Sequence, residues 1–387
     1  MTDNLLWAEV DLSAIAHNTR ELRRITHPEA RLMVGVKADG YGHGAVEVSK
    51  VALLNGADAL GVARLEEGIA LRQAGIQAPI LIFGYTLPKS VDALIQHDLT
   101  QTVYDTAIAK QLSAAISGPN KRLKVHIKVD TGMGRLGLLS PDHSKKRLDH
   151  QDTFDTLSDI KTIADLPGLE LEGIFTHFAS SDALNKSYAE FQFKRFSALL
   201  DEIKKEGISI SLRHTANSGA IIDMPHTHLD MVRAGIAFYG LYPSLEVSQD
   251  RIQLRPAMAF KTRVIHVKTV PAGFAVSYNS TWRSSTETTI ATVPVGYADG
   301  FSRSFSNRGQ MLLHGRRAPI VGRVCMDLTL LDVGHIPHVK VGDEVVIFGR
   351  QENRVLSADE LAAGIDTINY EIVSTITARV PRVYLRH

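Results

Sequence analysis

Cysteine is almost absent from the chain. Its 387 residues include one, Cys325, which excludes an intrachain disulfide. A surplus of either charge is lacking too: 43 basic residues stand against 42 acidic ones, for a net charge of +1. Binders of nucleic acid or of membrane surfaces usually carry a basic patch, so neither partner is expected. No apolar run approaches the ~20 residues of a membrane span. The N-terminus, MTDNLLWAEVDL, carries Asp3, Glu9 and Asp11 where a signal peptide would have its apolar core. Low-complexity tracts are missing, as are repeats beyond a strand–helix unit. What remains is 44% hydrophobic and 22% charged, an ordinary soluble composition. These features predict a cytoplasmic protein of two or three domains.

Short apolar runs recur through the first two thirds of the chain, at 31–38, 59–65, 78–85, 99–105, 124–132, 169–178, 210–218 and 230–240. Helix-like stretches separate most of them. Alternating strands and helices argue for parallel βαβ units, and eight units in this length fit a closed (β/α)8 TIM-type barrel. A doubly wound open sheet is the alternative, but no GxGxxG follows the first strand. After 241–258 the strands run back to back with Gly- and Asp-containing turns, which predicts an antiparallel β domain. The fold class expected is α/β followed by β: a barrel over 1–245 and a mainly antiparallel β domain over 246–387. A helical tail at 357–377 is expected to close the chain, with Ser357 and Glu360 forming a capping box at its start.

In a barrel of this type the C-terminal strand ends carry the active site. Those ends read Lys37 and Tyr41, Arg64, Tyr85, then Lys128, Asp130 and Arg135, then His177, Asn217 and Ser218, and finally Arg233 with Gly235. Taken singly, Lys37 could be a lysine snorkelling from a strand end and His177 a satisfied core histidine. Their common position on one face favours function. Loops after the last two barrel strands often bind phosphate, and here they read TANSGA and RAGI. A lysine, a phosphate site and an arginine at one barrel mouth point to pyridoxal 5′-phosphate held on the lysine. No metal is called for.

The stretches VKADGYGHG, HIKVDTGMGRLG, THFASSD, HTANSGA, MVRAGIAFYG, VSYNSTW, VPVGYADG, GRVCMDLTLLDV and NYEIVSTITARVPRVY resemble the signature stretches of the alanine racemase family, in the family's order and across nearly the whole chain. The resemblance implies a pyridoxal-phosphate-dependent racemase that interconverts L- and D-alanine by a two-base mechanism in a homodimer with shared sites, and supplies D-alanine for peptidoglycan. Lys37 matches the lysine that carries the cofactor and serves as one base. Tyr278 matches the second base, which in the family arrives from the other subunit. A free tyrosine has a pKa of ~10, so it needs supporting neighbours, and His214 and Arg303 match these.

By the same resemblance, Tyr41, Ser218, Gly235, Ile236 and Tyr370 would hold the phosphate, while Asn217, from its place in the TANSGA loop, offers the cofactor a polar side chain or caps the next helix. Arg233 would face the pyridine nitrogen with His177 holding it. Arg135 would bind the cofactor's phenolic oxygen and, with the Met326 N–H, the substrate carboxylate. Lys128 would orient Arg135, a lysine that is carbamylated in some relatives. Tyr297 and Tyr370 would narrow the mouth, and Asp327 is a supporting residue. Three rival readings remain: a serine or broad-specificity racemase, a barrel-plus-β amino acid decarboxylase, and a non-catalytic pyridoxal-phosphate-binding homeostasis protein.

Overall fold

The computed structural model describes residues 3–118, 120–140 and 155–386. The chain forms two compact units. One comprises 14–40 and 45–256; the other comprises 1–13, 41–44 and 257–387.

The larger unit is a nearly closed parallel barrel. Its eight strands are Arg31–Gly35, Ala59–Val62, Ile80–Ile82, Thr100–Val103, Leu123–Asp130, Leu169–Phe175, Leu212–His214 and Met231–Ala234. Each pairs in parallel with its predecessor in this sequence as far as Leu212–His214, and Met231–Ala234 pairs with Arg31–Gly35. Between the last two strands the backbone supplies two bonds, Asp230 N–H to Arg213 O at 3.0 Å and Arg233 N–H to Ala216 O at 2.9 Å. Ala59–Val62, Ile80–Ile82, Thr100–Val103 and Met231–Ala234 are buried at every residue. That is the mark of strands covered on both faces by a core and a helical shell. The helices follow from local signals. Asp105 accepts from the Ala107 and Ile108 N–H groups to start Thr106–Ala115. In Ser187–Lys205, the buried Ala189, Gln192, Phe196, Leu199 and Ile203 fall at helical spacing on one stripe.

The smaller unit is built on a mostly antiparallel sheet in the order Arg316–Pro319, Gln310–Leu313, Glu344–Gln351, Met258–Arg263, Leu6–Asp11, Arg382–Leu385, with Arg354–Leu356 paired to Glu344–Gln351. A second sheet joins His266–Val270, Thr288–Val293 and Thr329–Asp332. A division at 245/246 therefore misplaces the N-terminus. Leu6–Asp11 pairs antiparallel with Met258–Arg263 and parallel with Arg382–Leu385, and its Trp7, Ala8 and Val10 are buried. The expected helical tail also changes. It is two short helices, Ala358–Gly364 and Asn369–Ser374, and among the described residues the final element is the strand Arg382–Leu385. Ser357 does cap the first of them, accepting from the Glu360 N–H. Among the described residues no helix is long and apolar enough to cross a membrane.

Candidate active site

The first barrel strand ends at Gly35, and Lys37 opens a turn rather than ending the strand. Ala38, Asp39, Gly40 and Tyr41 all have φ between 50° and 63°, a left-handed run that costs about 1–2 kcal/mol at each non-glycine residue. Hydrogen bonds hold it. Gly40 N–H donates to Val36 O at 2.8 Å, Ala45 N–H to Asp39 Oδ1 at 2.9 Å, and Ala38 N–H to Glu67 Oε1 at 2.6 Å. Glu67 also accepts from the Ala63 and Arg64 N–H groups, so one carboxylate ties together the loops after the first two strands. Backbone strain held by its surroundings tends to mark functional sites, and here it lies directly beside Lys37.

A second carboxylate organises the loop that carries Arg135. Asp130 Oδ1 accepts from Gly132, Met133 and Gly134 N–H groups at 2.9, 2.9 and 3.1 Å, and Oδ2 from Arg135 N–H at 3.2 Å. His126, Lys128 and Asp130 alternate along one strand, so their side chains share a face.

Arg233 is the centre of the barrel's polar interior. Its Nη1 donates to His214 Nδ1 at 2.8 Å, and its Nη2 to Thr176 O at 2.7 Å and Thr215 O at 2.9 Å. Nη2 also lies 3.3 Å from His177 Nδ1. Beneath it lies Phe175, with the Arg233 Cζ 5.1 Å from the ring centroid and Lys128 Nζ at 5.8 Å. His214 stacks on the same ring, 4.7 Å between centroids at an angle of 10°. The aromatic ring thus supports two cations by cation–π attraction.

This crowding sets the titration of the site. Burial, then Arg135, lowers the Lys37 amine below its ordinary value, while Glu67 opposes the shift. Burial, then the Arg135 and Arg233 charges, brings Lys128 down to about 8. Burial and Arg135 lower Arg233 to about 9, still protonated at neutral pH. Burial and the surrounding cations hold His177 well below the usual imidazole range. Four cationic groups, Lys37, Lys128, Arg135 and Arg233, share the field with two carboxylates, Asp130 and Glu67, so positive charge is in excess by two. Such a site suits a dianion. Ser218 Oγ accepts from the Gly235 N–H at 2.9 Å, and Asn217 caps the Ser218–Asp223 helix, so the TANSGA and RAGI loops do converge.

One expected role changes. His214 was expected to support Tyr278, but it is fully buried, with Nδ1 bonded to Arg233 and Nε2 to His126. Both ring nitrogens are taken, so it has none to offer a phenol. Asp130 stands where the strand-end reading places it, and its carboxylate clamps the Arg135 loop; Glu67, His126 and Phe175 carry structure at the site that the sequence motifs did not assign.

The smaller unit holds the other expected residues. Tyr278 stands at the tip of a short hairpin between Ala275–Val276 and Trp282–Arg283, and it is 68% exposed. Ser277 before it has φ 64° and ψ −173°, a region that suits glycine; its hydroxyl donates to Arg323 O at 2.7 Å. Tyr297 and Met326 are neighbours: Tyr297 N–H donates to Cys325 O and Ala298 N–H to Met326 O, each at 3.1 Å. Asp327 pairs with Arg379 at 2.8 Å. Arg303 is exposed on a 3-10 turn and, among the described residues, has no hydrogen bond to Tyr278. Tyr41 and Tyr370 face each other with ring centroids 6.2 Å apart. The glycines between Tyr41 and Ala45 are demanded by close approach: a Cβ on Gly42 would lie 2.3 Å from Val373 O, and one on Gly44 1.8 Å from the Tyr384 hydroxyl.

Comparison with known proteins agrees with this layout. Residues 10–243 match the alanine racemase N-terminal domain and 257–384 the alanine racemase C-terminal domain. An alanine racemase of Desulfosudis oleivorans is 53% identical over 384 residues, 99% of this chain and 97% of the relative. One from Methanococcus maripaludis is 47% identical over the full length of both. Among solved structures, the alanine racemase of Clostridium difficile superposes with a TM-score of 0.92 at 37% identity, covering 100% of this chain and 97% of that one. The Bacillus anthracis alanine racemase with bound L-Ala-P gives 0.91 at 38%, covering 100% and 96%. The chain belongs to the alanine racemase family.

Proposed function

We propose that this protein is a pyridoxal-phosphate-dependent alanine racemase that works as a cytoplasmic homodimer and supplies D-alanine for peptidoglycan. The observation that carries this reading is the barrel mouth itself. A lysine amine of lowered pKa lies among three further cations, with two positive charges left for a dianionic cofactor. The donor set fits pyridoxal phosphate. Ser218, Asn217, Gly235, Ile236, Tyr41 and Tyr370 would hold the phosphate, Lys37 the aldehyde carbon, Arg135 the phenolic oxygen and Arg233 the ring nitrogen.

When bound, the cofactor withdraws electrons from the substrate Cα and acidifies its proton. Lys37, whose amine burial and Arg135 hold below its ordinary value, removes or returns that proton on one face. The Tyr278 hydroxyl serves the opposite face, because one base does not easily serve both. Arg233 stays protonated and only donates, so it fixes the ring without taking up a proton. Arg135 and the Met326 N–H receive the substrate carboxylate, Lys128 orients Arg135, and Tyr297, Arg303 and Asp327 support the mouth. Tyr278, Tyr297, Met326 and Leu328 are large apolar side chains exposed in one unit, which supports a subunit interface there. A steady-state assay of the loaded enzyme with L-alanine, L-serine and L-lysine tests the reading. Alanine should give the highest kcat/KM. A preference for serine or lysine would overturn the substrate, and bound cofactor without any racemisation would support the homeostasis alternative.

A further inference from the structure

The Arg233–His214 pair continues inward. His214 Nε2 lies 2.9 Å from His126 Nδ1, and His126 Nε2 lies 3.0 Å from Glu172 Oε2. Four residues from four barrel strands thus form one line from the site to a carboxylate that is about a quarter exposed. The two histidines between are buried, at 0% and 2% exposure.

The direction of this line is fixed by its ends. Arginine has donors only and an ionised carboxylate has acceptors only. Arg233 donates to His214 Nδ1, so that nitrogen carries no proton. His214 must then hold its proton on Nε2 and donate it to His126 Nδ1. His126 in turn holds its proton on Nε2 and donates it to Glu172. Every position is filled once, both imidazoles are neutral, and both are Nε2–H tautomers. A proton added to His214 would face the guanidinium N–H. One added to His126 would face the Nε2–H of His214. The pKa directions agree: burial and Arg233 hold His214 well below the usual imidazole range, and the His126 hydrogen bond lowers Glu172.

The barrel is shaped to accommodate this line. The ladder between Leu123–Asp130 and Leu169–Phe175 shifts register at Val125/His126, a bulge of the kind that re-aims a side chain. Opposite it stands Gly173, where a Cβ would lie 2.7 Å from three atoms of the His126 ring. Only glycine lets the imidazole lie across that strand.

We propose that His126 and Glu172 are positioning residues, which act through His214 to hold Arg233 as a fixed donor toward the barrel mouth. The catalytic part rests on the racemase reading; the tautomers do not. The test is 15N–1H correlation spectroscopy of the holoenzyme labelled at histidine, with His126→Phe and His214→Phe spectra to assign the two rings, alongside kcat and KM for alanine. In the wild type both rings should show a protonated Nε2 and an unprotonated Nδ1. Glu172→Lys replaces the terminal acceptor with a donor, so the Nδ1–H form of His126 should appear. With it, kcat should fall about tenfold, one hydrogen bond's worth of positioning, while KM holds. Glu172→Gln keeps an oxygen acceptor and should lose less. Gly173→Ala should displace His126 with all four members of the line intact, and mimic Glu172→Lys. A cationic or Nδ1–H imidazole at either position in the wild type would overturn the proposal, even if racemisation is confirmed. So would wild-type kcat in both Glu172→Lys and His126→Phe. If the enzyme does not racemise alanine at all, the tautomers still decide the structural claim.

Discussion

Removing the Asp130 carboxylate should release the loop that carries Arg135. Four backbone N–H groups converge on it, at 2.9 to 3.2 Å. A hydrogen bond to a charged group contributes about 1.5–3 kcal/mol net. Gly134 and Arg135 are exposed, so water can take over there and those two bonds count for little. The Gly132 and Met133 bonds remain, at the lower end of the range, and together contribute about 3 kcal/mol. Asp130→Ala should therefore speed amide exchange at Gly132 and Met133 about 100-fold, since 1.36 kcal/mol is a factor of ten. Amides of the strand itself, such as Ile127 and Val129, should stay protected, which separates loop release from unfolding. Asp130→Asn keeps a neutral acceptor and should give about a tenfold change. KM for alanine should rise in both, because Arg135 loses its fixed base. Exchange within threefold of wild type at these amides, in a folded variant, would show that the carboxylate does not clamp the loop.

Lys37 should be the residue that borohydride links to pyridoxal phosphate, and peptide mapping should find the added mass there alone. Lys37→Ala should lower racemisation by about a thousandfold or more, in keeping with the loss of a positioned base. Lys128 should titrate near pH 8 in 13C-labelled protein. Its folded pKa lies below its unfolded value, so the unfolded state binds more protons above pH 8. The Lys128 contribution to unfolding free energy should therefore rise with pH from about 8 to 10.5 and be flat below. A Lys128 signal that still moves only above pH 10 would contradict the crowded-cation description.

The barrel was legible because its strands repeat a local pattern: each of the eight apolar runs overlaps one barrel strand. Leu6–Asp11 was not, because its partners lie some 250 and 370 positions along the chain and nothing local marks it as joining the second unit. The mouth residues were legible as motifs. The residues behind them were not, since KVHIKVD reads as a core strand whichever way His126 points. Gly173 did carry a signal, as an isolated glycine in a strand suggests a bulge or a close approach. His214 shows the limit most directly: a histidine at a strand end looks the same whether it meets a phenol or a guanidinium, and only its burial behind Arg233 decides.

We propose Lys37 and Tyr278 as the two bases, contributed by different subunits. Mixing inactive Lys37→Ala and Tyr278→Phe homodimers, dissociating and reassociating them, tests both parts at once. Each mixed dimer would hold one site with both bases and one with neither. Under random assembly with two-fold symmetry half the dimers are mixed, so about a quarter of wild-type racemase activity should return. No recovery, in a sample shown to contain heterodimers, would contradict the account.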